Sequence, residues 1–162
     1  MMWGAMSYNG TAFLIKANGN LNGAGYINIL ENSAIPSAQL LGFGGDFWFQ
    51  DDGAPWHRSR LVADWKAENN IRCLSWPPQS SDLNPIENVW RDVKLGLKQL
   101  SPRNLQELED NVCNIWNNFP IRKCHSYIRS MPRRVQAVKD ARGGYTKYWM
   151  GQNLRSSTVC VT

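Results

Sequence analysis

No run of about 18 consecutive apolar residues occurs in this 162-residue chain, so no membrane-spanning helix is expected. The first residues lack a basic segment followed by an apolar one. No secretory signal is therefore expected, and the chain is placed inside the cell. Cysteine is sparse: Cys73, Cys113, Cys124 and Cys160 show no C-x-x-C spacing. Cys124 adjoins one of only two histidines, His125, yet no other ligand residues cluster beside it in sequence. Free thiols in a reducing compartment are expected, rather than a zinc site or a disulfide framework. Internal repeats and low-complexity segments are missing too, which argues against a solenoid or a linker.

What is present suits one domain with a real core. Hydrophobic residues make up 43% and charged residues 19%, and eight are tryptophan. The net charge of +5 is unevenly spread. Residues 1–90 carry 5 Lys/Arg against 8 Asp/Glu, and residues 91–162 carry 13 against 5. An acidic half joined to a basic half suggests a polyanionic partner for the basic part. The plainer alternative is a solvated basic helical surface.

Periodicity gives the elements. "MMWGAMS" and "TAFLIKA" flank Asn9–Gly10, a turn dipeptide, and read as a hairpin. "GAGYINILENSAIPSAQL" has helical spacing and is expected to end near Pro36. "DFWFQDD" is a strand, "APWHRSRLVADWKAENN" a helix with Leu61, Val62 and Trp65 on one face, and "IRCLSWP" a further core strand closed by Pro77–Pro78. Ile86, Val89, Trp90, Val93, Leu97 and Leu100 form a helical stripe. Two more helices are expected. One is capped by Ser101 with Pro102 in its first turn; the other uses Ser130 and Pro132 and stops at Gly143–Gly144. The alternation of strands and helices predicts an α/β layered fold.

Two places carry acids in suggestive positions. Asp51 and Asp52 end an apolar strand, where charge is costly unless used. Strand alternation sends Phe47, Phe49 and Asp51 to one face and Trp48, Gln50 and Asp52 to the other, unless both acids lie beyond the strand's end. In "SSDLNPIENVW", Asn84 suits an N-cap, Pro85 a first helical position and Glu87 the reciprocal position of a capping box. On that reading Glu87 only closes a helix end. The other reading is metal binding, because carboxylates suit Mg²⁺ or Mn²⁺, and two such ions can support an in-line phosphoryl displacement.

Taken together, "WFQDDGAPWH", "WPPQSSDLNPIENVWRDVK", "YIRSMPRRVQAVKDARGGYTKY" and the early "MMWGAMS" resemble the catalytic domain of mariner-superfamily DDE transposases (Tc/mariner type). The resemblance runs from about Met2 to Tyr148. It implies an RNase H-like fold, a mixed sheet flanked by helices, here with extra C-terminal helices. It also implies an acidic triad that binds two Mg²⁺ or Mn²⁺ ions. In the branches most like this chain, the second and third acids are separated by 34 residues. Asp52 and Glu87 have that separation, whereas Asp51 would give 35. The resemblance thus makes Asp52 and Glu87 catalytic metal ligands and places His57, Asp82 and Asn84 around them as site-shaping residues. A direct catalytic role for His57 is the alternative to a packing one.

The implied activity is cut-and-paste DNA transposition. DNA strands are cleaved at the element's ends, and a freed 3′-hydroxyl then attacks target DNA, typically at TA. Terminal-repeat DNA and TA-containing target DNA are the expected partners, with a homodimer possible and a nuclear location if the source is eukaryotic. Arg91, Lys94, Lys98, Arg122, Lys123, Arg133 and Arg134 are expected to contact phosphates. Ser81 stands where the family block usually has proline. The first acid is expected on a central first strand upstream of "MMWG". The chain from residue 1 is therefore expected to hold residues 1–148 of a partial catalytic domain, with a disordered tail over 149–162 and no strand cleavage of its own. A non-catalytic DNA-binding or interaction remnant is the competing reading. A stand-alone RNase H-type nuclease would need the same first acid.

Overall fold

In the computed structural model, the Asn9–Gly10 turn sets the first register. Strand β1 (Met2–Ser7) pairs antiparallel with β2 (Gly10–Lys16), from Met2 opposite Lys16 to Ser7 opposite Gly10, with an irregularity between Gly4 and Met6. The structure describes residues 1–17, 21–45, 47–77, 80–149 and 157–161, the last as backbone only. Among them, no helix is long and apolar enough to cross a membrane.

Strand alternation divides the core into two. Trp3 and Ala5 are fully buried against Tyr26, Ile29, Leu30 and Val62 on one side of the sheet. Met6 is buried on the other side with Ile86, Val89, Trp90, Val93, Val112 and Trp116. The first group joins helices α1 (Gly23–Ile29), α2 (Ile35–Leu40) and α3 (Arg60–Glu68). The second joins α4 (Ile86–Leu100), α5 (Leu105–Asn117) and α6 (Ile121–Arg129). Helix α7 (Met131–Asp140) follows. The layered α/β architecture expected from the sequence is present.

Several boundaries differ from expectation for identifiable reasons. The helix expected to stop near Pro36 continues to Leu40, because Leu30–Ala34 forms a widened π turn whose Ile35 N–H donates to the Leu30 carbonyl. Such a turn relieves the clash and the lost donor that proline brings to a helix. On α3 the buried face carries Val62 and Lys66, while Leu61 is largely exposed. The expected core strand "IRCLSWP" reduces to a two-residue edge strand, β4 (Arg72–Cys73), with both residues exposed. Pro78 of its closing dipeptide lies outside the described residues. Ser101 does not cap α5. It ends α4 in the left-handed conformation, and the Asn104 side chain caps α5 by accepting from Glu107 N at 2.8 Å. Ser130 sits in helical geometry between α6 and α7 rather than capping α7. Helix α6 itself was not expected.

The sheet order is β2-β1-β5-β3-β4. Its central position, between β1 and β3 (Trp48–Asp51), is held by β5 (Ser157–Val161), which runs parallel to β1 and antiparallel to β3. Residues 157–161 of the expected disordered tail thus form a strand. The rest of that tail, 150–156 and 162, lies outside the described residues.

Helix α5 seats on the sheet through Trp116. A Cβ placed on Gly4 would lie 2.5 Å from the Trp116 ring, so only glycine permits this approach. Trp116 cannot easily yield, being fully buried, with its indole N–H donating to the Ala12 carbonyl at 2.7 Å. We expect Gly4→Val to lower unfolding stability by about 1–3 kcal/mol through overpacking. Urea unfolding followed by tryptophan fluorescence measures this; unchanged stability would remove Trp116 as the anchor.

Candidate active site

Strand β3 delivers two acids to different surroundings. Phe49 and Asp51 face the α1–α3 side. There Asp51 Oδ2 meets Lys66 Nζ at 2.5 Å and accepts from the Tyr26 hydroxyl at 3.4 Å. Burial, then the charges of Asp51 and Asp52, hold the Tyr26 hydroxyl well above its usual pKa, so it stays a donor. Asp52 lies just past the strand. Its Oδ1 accepts from Ala54 N at 3.0 Å across a tight turn in which Gly53 has φ +67°. That conformation favours glycine.

His57 follows in the turn before α3. Its side chain is completely buried and packs at a tilt of 35° against Tyr26, ring centroids 4.0 Å apart. Nδ1 lies 2.8 Å from Asp52 Oδ1 and 4.0 Å from Asp51 Oδ2, without the alignment of a hydrogen bond. His57 therefore sits between the two acids. Sequence reasoning missed Lys66 and Tyr26. The legible signal was a lysine four residues after Val62 on the apolar face of α3.

Glu87 comes from the opposite layer. Residues Ser81–Leu83 form a 3-10 turn, and α4 begins at Ile86. The expected capping box is not formed. No side chain caps α4, and the buried Asn84 Oδ1 has no hydrogen-bond partner. Glu87 is instead half-buried, with its carboxyl pushed up to about 7, first by burial and then by the charge of Asp52; Lys94 opposes this. Burial also pushes the Lys94 ammonium down, while Glu87 raises it. Glu87 on α4 thus lies near enough to Asp52 for the Asp52 charge to raise its carboxyl, with Lys94 opposing. That donor set fits a hard divalent cation. Among the described residues, no cluster of three or more His, Cys, Asp or Glu side chains is arranged to hold a metal ion.

Asp82 and Arg134 are structural neighbours. Asp82 is buried and accepts from the Thr146 hydroxyl at 2.9 Å. Arg134 is also buried; it donates to the Asp82 carbonyl at 3.0 Å and to Ser130 Oγ at 2.7 Å, and it lies over Tyr148. The expectation that Arg134 contacts phosphate is corrected, because its guanidinium is spent pinning the turn before α4 to α7. Arg91, Lys94 and Lys98 follow Glu87 at helical spacing on one face of α4. Arg122, Lys123 and Arg133 are exposed, although Lys123 donates to Asp92 at 2.7 Å.

A mixed five-stranded sheet between two helical layers describes an α/β domain of RNase H-like fold. Residues 1–109 match the family described as "DDE superfamily endonuclease", and the chain belongs to that family. Within it, the similarity runs to transposases of Tc1/mariner type. The chain is 36% identical over 148 residues to the transposable element Tcb1 transposase of Caenorhabditis briggsae. It is equally similar to the Tc1 transposase of Caenorhabditis elegans, covering 91% of this chain in each case. It spans about half the length of these relatives, 54% of each. Among solved structures, the Mos1 transposase catalytic domain with Raltegravir and Mn superposes with a TM-score of 0.75 at 20% identity. That match covers 86% of this chain and 74% of that one. The Mos1 mariner paired end complex with Mn gives the same TM-score over 43% of its chain. These structures show the RNase H-like fold.

The raised Glu87 pKa sets a pH dependence. Between about 4.5 and 7 the folded chain keeps a proton there that the unfolded chain has released. Stability from this group is therefore complete below the lower value and is lost as pH rises through the upper one. We expect Glu87→Gln to stabilise the metal-free chain at pH 8 by on the order of 1–2 kcal/mol and to leave it unchanged at pH 4. Urea titrations at the two pH values check this. Separately, Arg134→Ala should cost about 1–3 kcal/mol by orphaning its acceptors, whereas Arg133→Ala should cost little; thermal melts distinguish the two.

Proposed function

We propose that this chain is part of the catalytic domain of a cut-and-paste DNA transposase, with Asp52 and Glu87 as ligands of a divalent cation. The reading is supported most by the placement of Asp52 just past β3 and of Glu87 in the first turn of α4, near enough that the Asp52 charge raises the Glu87 carboxyl. Mg²⁺ or Mn²⁺ would supply Lewis-acid stabilisation of the charge that develops during phosphodiester cleavage and strand transfer. The Mos1 catalytic domain has been solved with Mn and with Mg, which is consistent with that choice.

The residues of the chain do the rest. Asp52 is oriented by the Ala54 N–H and by buried His57, which leaves Oδ2 as the oxygen not engaged in that turn. Glu87, free of any capping duty, presents its carboxylate from the first turn of α4. Arg91, Lys94 and Lys98 extend from it along one helix face, a track that suits a phosphate backbone. Arg122, Lys123 and Arg133 add exposed positive charge on α6 and α7. Terminal-repeat and target DNA are the partners this reading implies; Mos1 has been solved as a paired end complex and as a strand transfer complex.

With Asp51 paired to Lys66 and no cluster of three or more metal-ligating side chains among the described residues, the isolated chain should bind DNA but not cut it. We expect binding to terminal-repeat duplex to weaken steeply between 50 and 200 mM salt, on the order of tenfold or more, as phosphate contacts release counterions. Arg91→Ala/Lys98→Ala should reduce the salt slope. Absence of binding at low salt would sink the DNA-track reading. Specific nicking with Mn²⁺ that disappears in Asp52→Ala would show a complete catalytic site. Binding without nicking, and without any Mn²⁺ affinity, would favour a non-catalytic remnant.

A further inference from the structure

Two adjacent acids at one strand end pose a selection problem: either could take a cation. We propose that buried Lys66 solves it by sequestering Asp51, so that Asp52 alone serves from this strand; the proposal rests on Asp52 being a metal ligand, as above.

The geometry is specific. Lys66 is only 7% exposed. Its ammonium lies 2.5 Å from Asp51 Oδ2, 5.2 Å from the centroid of the Phe49 ring and 5.6 Å from that of Tyr26. The Tyr26 hydroxyl donates to the same oxygen at 3.4 Å. For Asp51 to turn toward a cation, it would leave a buried ammonium with only the Cys73 thiol and the Phe49 and Tyr26 rings beside it, which is strongly unfavourable. The pair therefore carries no net charge into the site. The negative charge offered to a cation comes from Asp52 and Glu87. Strand alternation produces this division, because Asp51 shares the face of Phe49 and points at α3 while Asp52 falls in the turn beyond. Lys66 is thus a positioning residue, acting through Asp51. His57 is a built-in reporter, since its Nδ1 lies 2.8 Å from Asp52 Oδ1 and 4.0 Å from Asp51 Oδ2.

The test uses the full chain, Mn²⁺ titrations followed by electron paramagnetic resonance, and ¹⁵N shifts of the His57 ring assigned with a His125→Asn control. Four variants are compared with the unaltered chain: Lys66→Met, Asp51→Asn, the Asp51→Asn/Lys66→Met double and Asp52→Asn. In Lys66→Met the released carboxylate should bind Mn²⁺ about tenfold more tightly, or add a second equivalent, because affinity follows ligand charge. The His57 shift should move in the metal-free protein. The neutral double variant should fold even where Lys66→Met does not, and it should hold Mn²⁺ within about twofold of the unaltered chain while Asp52→Asn loses it. If the double variant loses Mn²⁺ as severely as Asp52→Asn, Asp51 is itself a ligand and the proposal falls. It also falls if folded Lys66→Met leaves both Mn²⁺ affinity and the His57 shift unchanged, as a purely structural ion pair would. Equal Mn²⁺ binding, or none, in the unaltered chain and Asp52→Asn would instead refute the metal role of Asp52. Sequestration is then judged on the metal-free His57 shift, whose constancy in Lys66→Met, or in the double where Lys66→Met does not fold, overturns it.

Discussion

The seating of Trp116 across Gly4 fixes the distance between the sheet and the helical layer that carries Glu87. Trp116 is buried, hydrogen-bonded to the backbone of β2, and packed against Trp90 of α4 at 4.7 Å between ring centroids. Trp90 lies three residues after Glu87 on the same helix. One aromatic contact therefore links β1, β2, α5 and α4. Asp52 rides on the sheet and Glu87 on α4, so their approach depends on how deeply this indole settles. Packed interiors transmit such constraints because they have little room to relax.

Electrostatics then divides the acids into those that are neutralised within the fold and those that are not. Asp51 has Lys66. Asp92 has Lys123 and Tyr127, whose hydrogen bonds, with the Arg91 charge, hold its carboxyl below the usual range despite the opposing effect of burial. Glu87 has only Lys94 against both burial and Asp52, and its carboxyl moves the other way. Asp51 and Asp92 thus have cationic partners within the fold, whereas burial and Asp52 leave Glu87 raised against Lys94 alone.

Much of this was legible in the residues. The hairpin, the α4 stripe and the two-layer α/β order follow from periodicity and one turn dipeptide. The choice of Asp52 over Asp51 came from the family resemblance, whose 34-residue spacing to Glu87 periodicity alone does not supply. The failures have physical causes. Asn84, Pro85 and Glu87 satisfy the local pattern of a capping box, but the segment is held instead by tertiary contacts, including Arg134 on the Asp82 carbonyl. Arg134 reads as one more surface cation among many, and only burial distinguishes it from Arg133. Helix α6 is short and begins after Pro120, too brief for its period to stand out. Lys66 looks like a solvated helix lysine until its facing strand is known.

Strand β5 has a consequence for how the chain acquires its structure. Its pairing with Trp3–Met6 joins residues more than 150 positions apart. Only β5 joins the β1–β2 hairpin to the β3–β4 pair among the described strands. Contacts of such sequence separation form slowly, because loop closure precedes any gain from pairing. Until this contact forms, the edges of β1 and β3 that β5 covers lack its pairing, which is the state most open to chaperones or neighbouring chains.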